Sequence, residues 1–168
     1  HAPRDIVARM IKAGALPDET DAKGQTPLMW AAINGRLDNV ELLLRFGADA
    51  NRQTTGGFTP LLFAVKSGRL DVAEAIIAGG GDPAYQTPDS TSVMQLAMYQ
   101  HNYAFAASMV RRGVDLRRYD RNGRQLLHAA VIANQPELVD LLLAQGADVN
   151  AVTKPSRVKW RYESNFRA

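Results

Sequence analysis

Hydrophobic residues along this chain fall into short amphipathic stretches that come in pairs. In residues 37–46 the spacing of Val40, Leu43 and Leu44 puts one apolar face on a helix. The same reading predicts helices over about 5–13, 26–34, 37–46, 59–67, 70–78, 92–100, 103–112, 125–133 and 136–145. Little strand is expected beyond short pairings in the connecting fingers. The pairs repeat on a lattice of 33 residues: Gly47, Gly80, Gly113 and Gly146; Asp49, Asp82, Asp115 and Asp148; Ala31, Ala64, Ala97 and Ala130. A fixed period of about 20–50 residues marks stacked repeats, each burying its apolar face against the next. Such folds present a long surface instead of a pocket lined by converging groups.

The clearest unit, GQTPLMWAAINGRLDNVELLLRFGADAN, runs from Gly24 to Asn51. Thr26 can cap the orphan amides of a helix, and Pro27 at the first helical position has no amide to lose. Ala31 and Ala32 let neighbouring helices approach closely. Gly47 can adopt the left-handed conformation that ends the second helix, and Asp49 can bond nearby amides in the turn that follows. With its TPL motif, paired alanines, leucine run and GAD turn, the unit resembles an ankyrin repeat. The resemblance covers about residues 4–150 and implies an all-α solenoid of stacked helix-turn-helix units. The second unit, from Gly57 to Ala84, repeats the pattern. The third keeps a capping hydroxyl in Ser92 but has Val93 for proline. The fourth has Gln125 and Leu126 in place of cap and proline, and these losses are expected to weaken the first helices of units three and four by about 1 kcal/mol each.

The phase divides the chain into a half unit at 4–18 and full units at about 21–53, 54–86, 87–119 and 120–153. Ile6–Gly14 aligns with a second helix, with Val7, Met10 and Ile11 as its inner face. Residues 151–168 form a basic and aromatic tail, read as a cap or the start of an insertion, with Trp160 and Tyr162 packing on the array's open end. The out-of-phase ends suggest a fragment of a longer protein.

Composition narrows the reading. Cysteine is absent from the 168 residues, so disulfide and thiolate chemistry are excluded. No apolar run approaches the 18 or so residues of a membrane span. Arginine outnumbers lysine 15 to 5, which points to GC-rich coding and a bacterial source. Residues 1–110 hold 9 basic and 11 acidic side chains, and residues 111–168 hold 11 and 6. Arg111, Arg112, Arg117, Arg118, Arg121 and Arg124 make a local basic cluster. A solvated edge accounts for it more simply than a nucleic-acid footprint, which usually needs a stronger domain-wide excess.

No catalytic, cofactor or metal constellation emerges. His101 and Asn134 stand where Gly35 and Gly68 do, so both read as residues tolerating a left-handed backbone. His128 follows the TPL-like start, where the resemblance implies a structural hydrogen-bonding role. The glycine run before Asp82 lacks the Lys-Ser/Thr of a phosphate loop and follows a helix instead of preceding one.

What remains is the concave face that the resemblance implies, built from finger tips and the outer ends of first helices. By phase its candidate partner-binding residues are Lys23, Gln25, Ile33, Asn34, Phe58, Lys66, Asp89, Tyr99, Gln100, Arg121 and Arg124. Phe58 and Tyr99 are aromatic where the fold does not need it, whereas Trp30 and Phe63 lie one row deeper and read as core. The function expected is a monomeric, non-catalytic protein-recognition scaffold without cofactor. The alternatives are binding of nucleic acid or an anionic surface through the basic C-terminal third, and a regulatory or targeting segment of a larger enzyme.

Overall fold

A computed structural model of the chain describes residues 9, 12–89, 91–120 and 122–155. Eight helices lie among the described residues: α1 Pro27–Ile33, α2 Leu37–Arg45, α3 Pro60–Ser67, α4 Leu70–Ala78, α5 Val93–Tyr99, α6 Tyr103–Arg111, α7 Leu126–Ile132 and α8 Pro136–Ala144. The only extended pairing described is an isolated bridge between Gln86 and Ser92. The fold is all-α, and each helix boundary falls within a residue or two of the predicted one. The helix expected over 5–13, with Val7, Met10 and Ile11, lies largely outside the described residues. The tail from Ser156 onward, Trp160 and Tyr162 included, lies outside them as well.

The chain divides into two compact units, His1–Val114 and Asp115–Ala168. In the first, α1 packs on α2 and α3, α3 on α4 and α5, α2 on α4, and α4 and α5 on α6. First helices therefore stack on first helices and second on second. Leu28, Leu61, Leu62, Val65, Val72, Ile76, Val93 and Phe105 are fully buried between them. In the second unit α7 packs on α8, burying Ala130, Leu138 and Leu142.

Helices this short are marginal alone, so their ends carry much of the design. Thr26 Oγ1 accepts the Met29 amide at 3.3 Å, and Ser92 Oγ accepts the Gln95 amide at 3.0 Å. The third residue of each helix returns a bond to the cap amide, from Met29 Sδ at 3.4 Å and Gln95 Oε1 at 3.4 Å. Thr59 departs from the expected pattern. Its backbone is that of a cap, yet its buried hydroxyl has no hydrogen-bond partner among the described residues. The third residue here is Leu62, which has no polar atom to complete a reciprocal box.

The fourth repeat begins differently. Gln125 replaces the hydroxyl cap, and its own amide donates to His128 Nδ1 at 3.3 Å, as the cap amides of the first and third repeats donate to Met29 and Gln95. The Gln125 Nε2 donates to Arg117 O at 3.2 Å.

The lattice residues act as their chemistry predicts. Gly47 has φ +85, which lets Ala48 N reach back to Leu43 O at 3.0 Å and close α2. Asp49, Asp82, Asp115 and Asp148 each accept the amide two residues on, at 2.8, 2.8, 3.0 and 2.9 Å. Among the described residues, His101 (φ 55) and Asn134 (φ 52) are the two non-glycine residues with positive φ, as their alignment with Gly35 and Gly68 implies.

Candidate functional site

Each helix pair is joined to the next by a finger, and one acceptor at a fixed phase folds every finger back on itself. In the first compact unit these are Asp21, Thr54 and Thr87. Asp21 takes the amides of Lys23 at 2.8 Å and Gln25 at 2.9 Å. Thr54 Oγ1 takes the Phe58 amide at 3.0 Å, and Thr87 Oγ1 the Thr91 amide at 3.0 Å. The backbones close the same hairpins: Asp21 N to Gln25 O at 3.1 Å, Thr54 N to Phe58 O at 3.0 Å, Thr87 N to Thr91 O at 3.0 Å. In the second unit Asp120 does both jobs, accepting the amides of Asn122 and Arg124 at 2.8 Å each. These four acceptors are 33 residues apart. Sequence reasoning missed them because the lattice position alternates between Asp and Thr, which share an acceptor oxygen and little else.

The fingers are thus preorganised, with their tips in water. Lys23 is exposed and Gln25 half-buried. Asp89 is exposed but engaged: Thr87 Oγ1 donates to it, and Thr91 Oγ1 does so at 3.2 Å. Arg124 is half-buried in the second unit. Arg121 lies outside the described residues. The Asp21 carboxyl is held below its ordinary value of 3.8, chiefly by the Gln25 amide, with the Lys23 amide and the Trp30 indole adding to it.

That indole corrects the sequence reading. Trp30 was expected in the core but is 52% exposed. Leu28, Met29, Ala31 and Ala32 fill the interior instead. Phe63, at the same phase in the next repeat and likewise expected in the core, is half-buried against it and meets Phe58 edge to face at 6.2 Å.

First-helix ends supply the second row. Ile33, Lys66 and Tyr99 occupy one lattice position on α1, α3 and α5, helices that stack in that order. Ile33 is half-buried, Lys66 exposed and Tyr99 41% exposed. Asn34 is exposed and donates through Nδ2 to Trp30 O at 2.8 Å, while Gln100 is exposed at the end of α5. Phe58, at 38% exposure, links this row to the fingers. The first unit therefore brings together Lys23, Gln25, Ile33, Asn34, Phe58, Lys66, Asp89, Tyr99 and Gln100 on its finger and first-helix rows, with Trp30 added.

Arg117 and Arg118 are exposed, and Lys154 lies over the Tyr119 ring with Nζ 4.2 Å from its centroid. His128 is bonded at both ring nitrogens. Since Nδ1 accepts from Gln125, Nε2 carries the proton and donates to Ala151 O at 2.9 Å. No helix among the described residues is long and apolar enough to cross a membrane.

Comparison with known proteins agrees with this geometry. Residues 2–87 and 76–153 match the family described as ankyrin repeats, three copies. The potassium channel AKT1 of Arabidopsis thaliana is 48% identical over 145 residues, covering 86% of this chain and 17% of the channel. The chain thus spans less than a fifth of that relative. This plant relative does not bear out the bacterial source expected from the arginine-to-lysine ratio, since coding bias shapes that ratio within any lineage. The 33-residue lattice, the pinned fingers and the match along nearly the whole chain together place the chain in the ankyrin repeat family.

Proposed function

We propose that the chain is a non-catalytic protein-recognition scaffold whose partner lies on the finger and first-helix rows of residues 23–100. The observation that carries this reading is the set of aromatic side chains held at the surface there. Trp30, Phe58 and Tyr99 are 52%, 38% and 41% exposed, on helices and fingers whose backbones are pinned. Rigid, partly exposed aromatics are the common energetic anchors of protein interfaces, and ordering costs are low when the backbone is already fixed. A site-specific photo-crosslinker placed at Phe58 or Tyr99 in the full-length protein tests it. The expected outcome is partner adducts from both positions and none from Arg45, which is exposed near the end of α2. Adducts from Arg45 alone would sink the proposal.

The comparison with AKT1 supports a second reading, in which the scaffold serves as the recognition arm of a larger protein. The matched relative is a channel of which the shared region is 17%. The basic C-terminal third is better read as a solvated edge than as a nucleic-acid site, because the chain carries a net charge of only +3.

A further inference from the structure

Among the described residues, the exposed serine and threonine side chains are Thr20, Thr55 and Thr153. The others are buried or half-buried, and most hold the fold. Thr26 and Ser92 cap helices, Thr54 and Thr87 close fingers, and Ser108 donates to Glu74. The exposed three differ in what precedes them. Pro17 stands three residues before Thr20, which Glu19 and Asp21 flank, and Asn150 stands three before Thr153. Arg52 stands three before Thr55. Its side chain is exposed and makes no ion pair with a described residue.

Thr55 sits at the tip of one finger, against the finger before it. Its amide and its Oγ1 both donate to Lys23 O, at 3.2 Å each. The two fingers lie so close here that a Cβ on Gly24 would stand 3.2 Å from Thr55 N. The side-chain bond is long for a hydroxyl and open to water, so Oγ1 leaves it at little cost. Residues 52–54 belong to no helix or turn. Bonds from Thr54 to Gly57 and Phe58 close the hairpin behind the tip. A local opening at this exposed turn therefore presents Arg52 and Thr55 together on an extended segment without disturbing the helices.

We infer that Thr55 is a phosphorylation site for a serine/threonine protein kinase that reads an arginine three residues ahead, and that the phosphate clamps two neighbouring fingers together through Lys23. In the transfer, Thr55 Oγ1 attacks the γ-phosphorus of a nucleoside triphosphate. The bond to the β,γ-bridging oxygen breaks, the diphosphate leaves, and the hydroxyl proton passes to the kinase's catalytic carboxylate. Arg52 meets carboxylates of the kinase, which bind a guanidinium through paired hydrogen bonds. The product has no hydroxyl proton to give to Lys23 O, but the bond from Thr55 N remains. The new group carries about −1.5 to −2 charges at neutral pH. It stands beside Lys23, whose side chain is exposed. An ion pair between fingers thus replaces a long hydrogen bond.

The test treats the full chain with magnesium–ATP and the catalytic domain of a calmodulin-dependent protein kinase, which has this arginine preference. Sites are mapped by fragmentation mass spectrometry, because Ser164 follows Arg161 at the same spacing. Phosphate is expected on Thr55 and absent there from Thr55→Val. Arg52→Ala should lower kcat/KM for Thr55 about tenfold or more, the effect of losing a charge-assisted contact. Mapping the parent chain gives the site even if the valine variant does not fold. Phosphorus NMR reads the clamp. The second ionisation of the phosphate should fall at lower pH in the folded chain than in urea, and Lys23→Met should return it toward the urea value. Phosphate found only at Ser164, or at no residue, would overturn the site. Equal rates in parent and Arg52→Ala would overturn the role of the arginine. A phosphate that titrates alike in the folded chain, in urea and in Lys23→Met would overturn the clamp.

Discussion

Asn51 binds Asp82 and its turn across a repeat boundary. Its Oδ1 accepts the Asp82 amide at 2.9 Å while its Nδ2 donates to Gly80 O at 2.8 Å. One side chain thus completes the turn that ends the following second helix. In the preceding repeat Asp18 makes the accepting half of this contact, taking the Asp49 amide at 2.9 Å. Ala84 stands at that lattice position in the second repeat and has no polar side-chain atom with which to repeat the bond. Asn51→Ala should therefore destabilise the chain by about 1–2 kcal/mol, the net value of two hydrogen bonds at an exposed site. Urea unfolding would read this as a lower midpoint with an unchanged slope.

Asn134 is held at φ 52, where glycine meets no steric penalty. Asn134→Gly should stabilise the chain by about 0.5–1 kcal/mol, and Asn134→Val should destabilise it by about 1–2 kcal/mol. Paired urea melts give both signs in one experiment. A glycine variant less stable than the parent would mean that the asparagine side chain does more than tolerate the turn.

Much of this was legible in the sequence because repetition multiplies weak signals. A single Gly-x-Asp would be an ordinary turn. Four at a spacing of 33 fix helix ends, turns and stacking order together, and Asp49, Asp82, Asp115 and Asp148 all act as their chemistry implied. What escaped were places where unlike residues do the same task. His128 accepts the Gln125 amide from the third helical position, the role that Met29 and Gln95 fill in other repeats. Thr54 and Thr87 stand in for Asp21 and Asp120 in the fingers. Trp30 escaped for a different reason: residue type and spacing alone favour burial of tryptophan, whereas Leu28, Met29, Ala31 and Ala32 already fill the interior here.

His128 joins α7 to the returning chain, with one ring nitrogen on Gln125 N and the other on Ala151 O. Removing the ring leaves both partners short of a bond, so His128→Ala should cost about 1–3 kcal/mol. Hydrogen exchange should localise the loss to the Gln125 amide and the segment after Ala147. His128→Asn, which can place one acceptor near the cap, should recover some of the stability. Equal stability of parent and alanine variant would show that water replaces the ring without loss.

Acid should act through two carboxylates with depressed pKa. Asp71 is lowered chiefly by its hydrogen bond with Arg69, Nε to Oδ1 at 2.9 Å, and Asp21 chiefly by the Gln25 amide. A carboxyl whose folded pKa lies below its unfolded value stabilises the fold above that value and loses the contribution as pH falls through the folded one. Stability should therefore hold from neutrality down to about pH 4 and decline below it. Asp21→Asn and Asp71→Asn should each flatten the acid limb of a plot of urea midpoint against pH. Both groups are exposed, so added salt should diminish the effect of Asp71 more than that of Asp21, whose main partners are backbone amides.

The functional prediction turns on which side chains act as anchors. Phe58 and Tyr99 are rigid and partly exposed, and they sit on rows that also present Lys23, Lys66 and Gln100. Truncating a true anchor typically costs about 2 kcal/mol or more, whereas a rim contact costs much less. Once a partner is captured by crosslinking, Phe58→Ala and Tyr99→Ala should each weaken its binding by about thirty-fold or more. Thermal unfolding should remain near that of the parent, because neither ring is buried in the core. Charge reversal at Arg117 and Arg118 should change affinity by only a few-fold, and mainly at low salt. The opposite pattern, with both arginine changes abolishing binding and both aromatic changes silent, would move the site to the basic C-terminal third. A log-log plot of affinity against salt concentration then identifies the ligand, since release of counterions from a nucleic acid gives a slope that grows with each phosphate contacted.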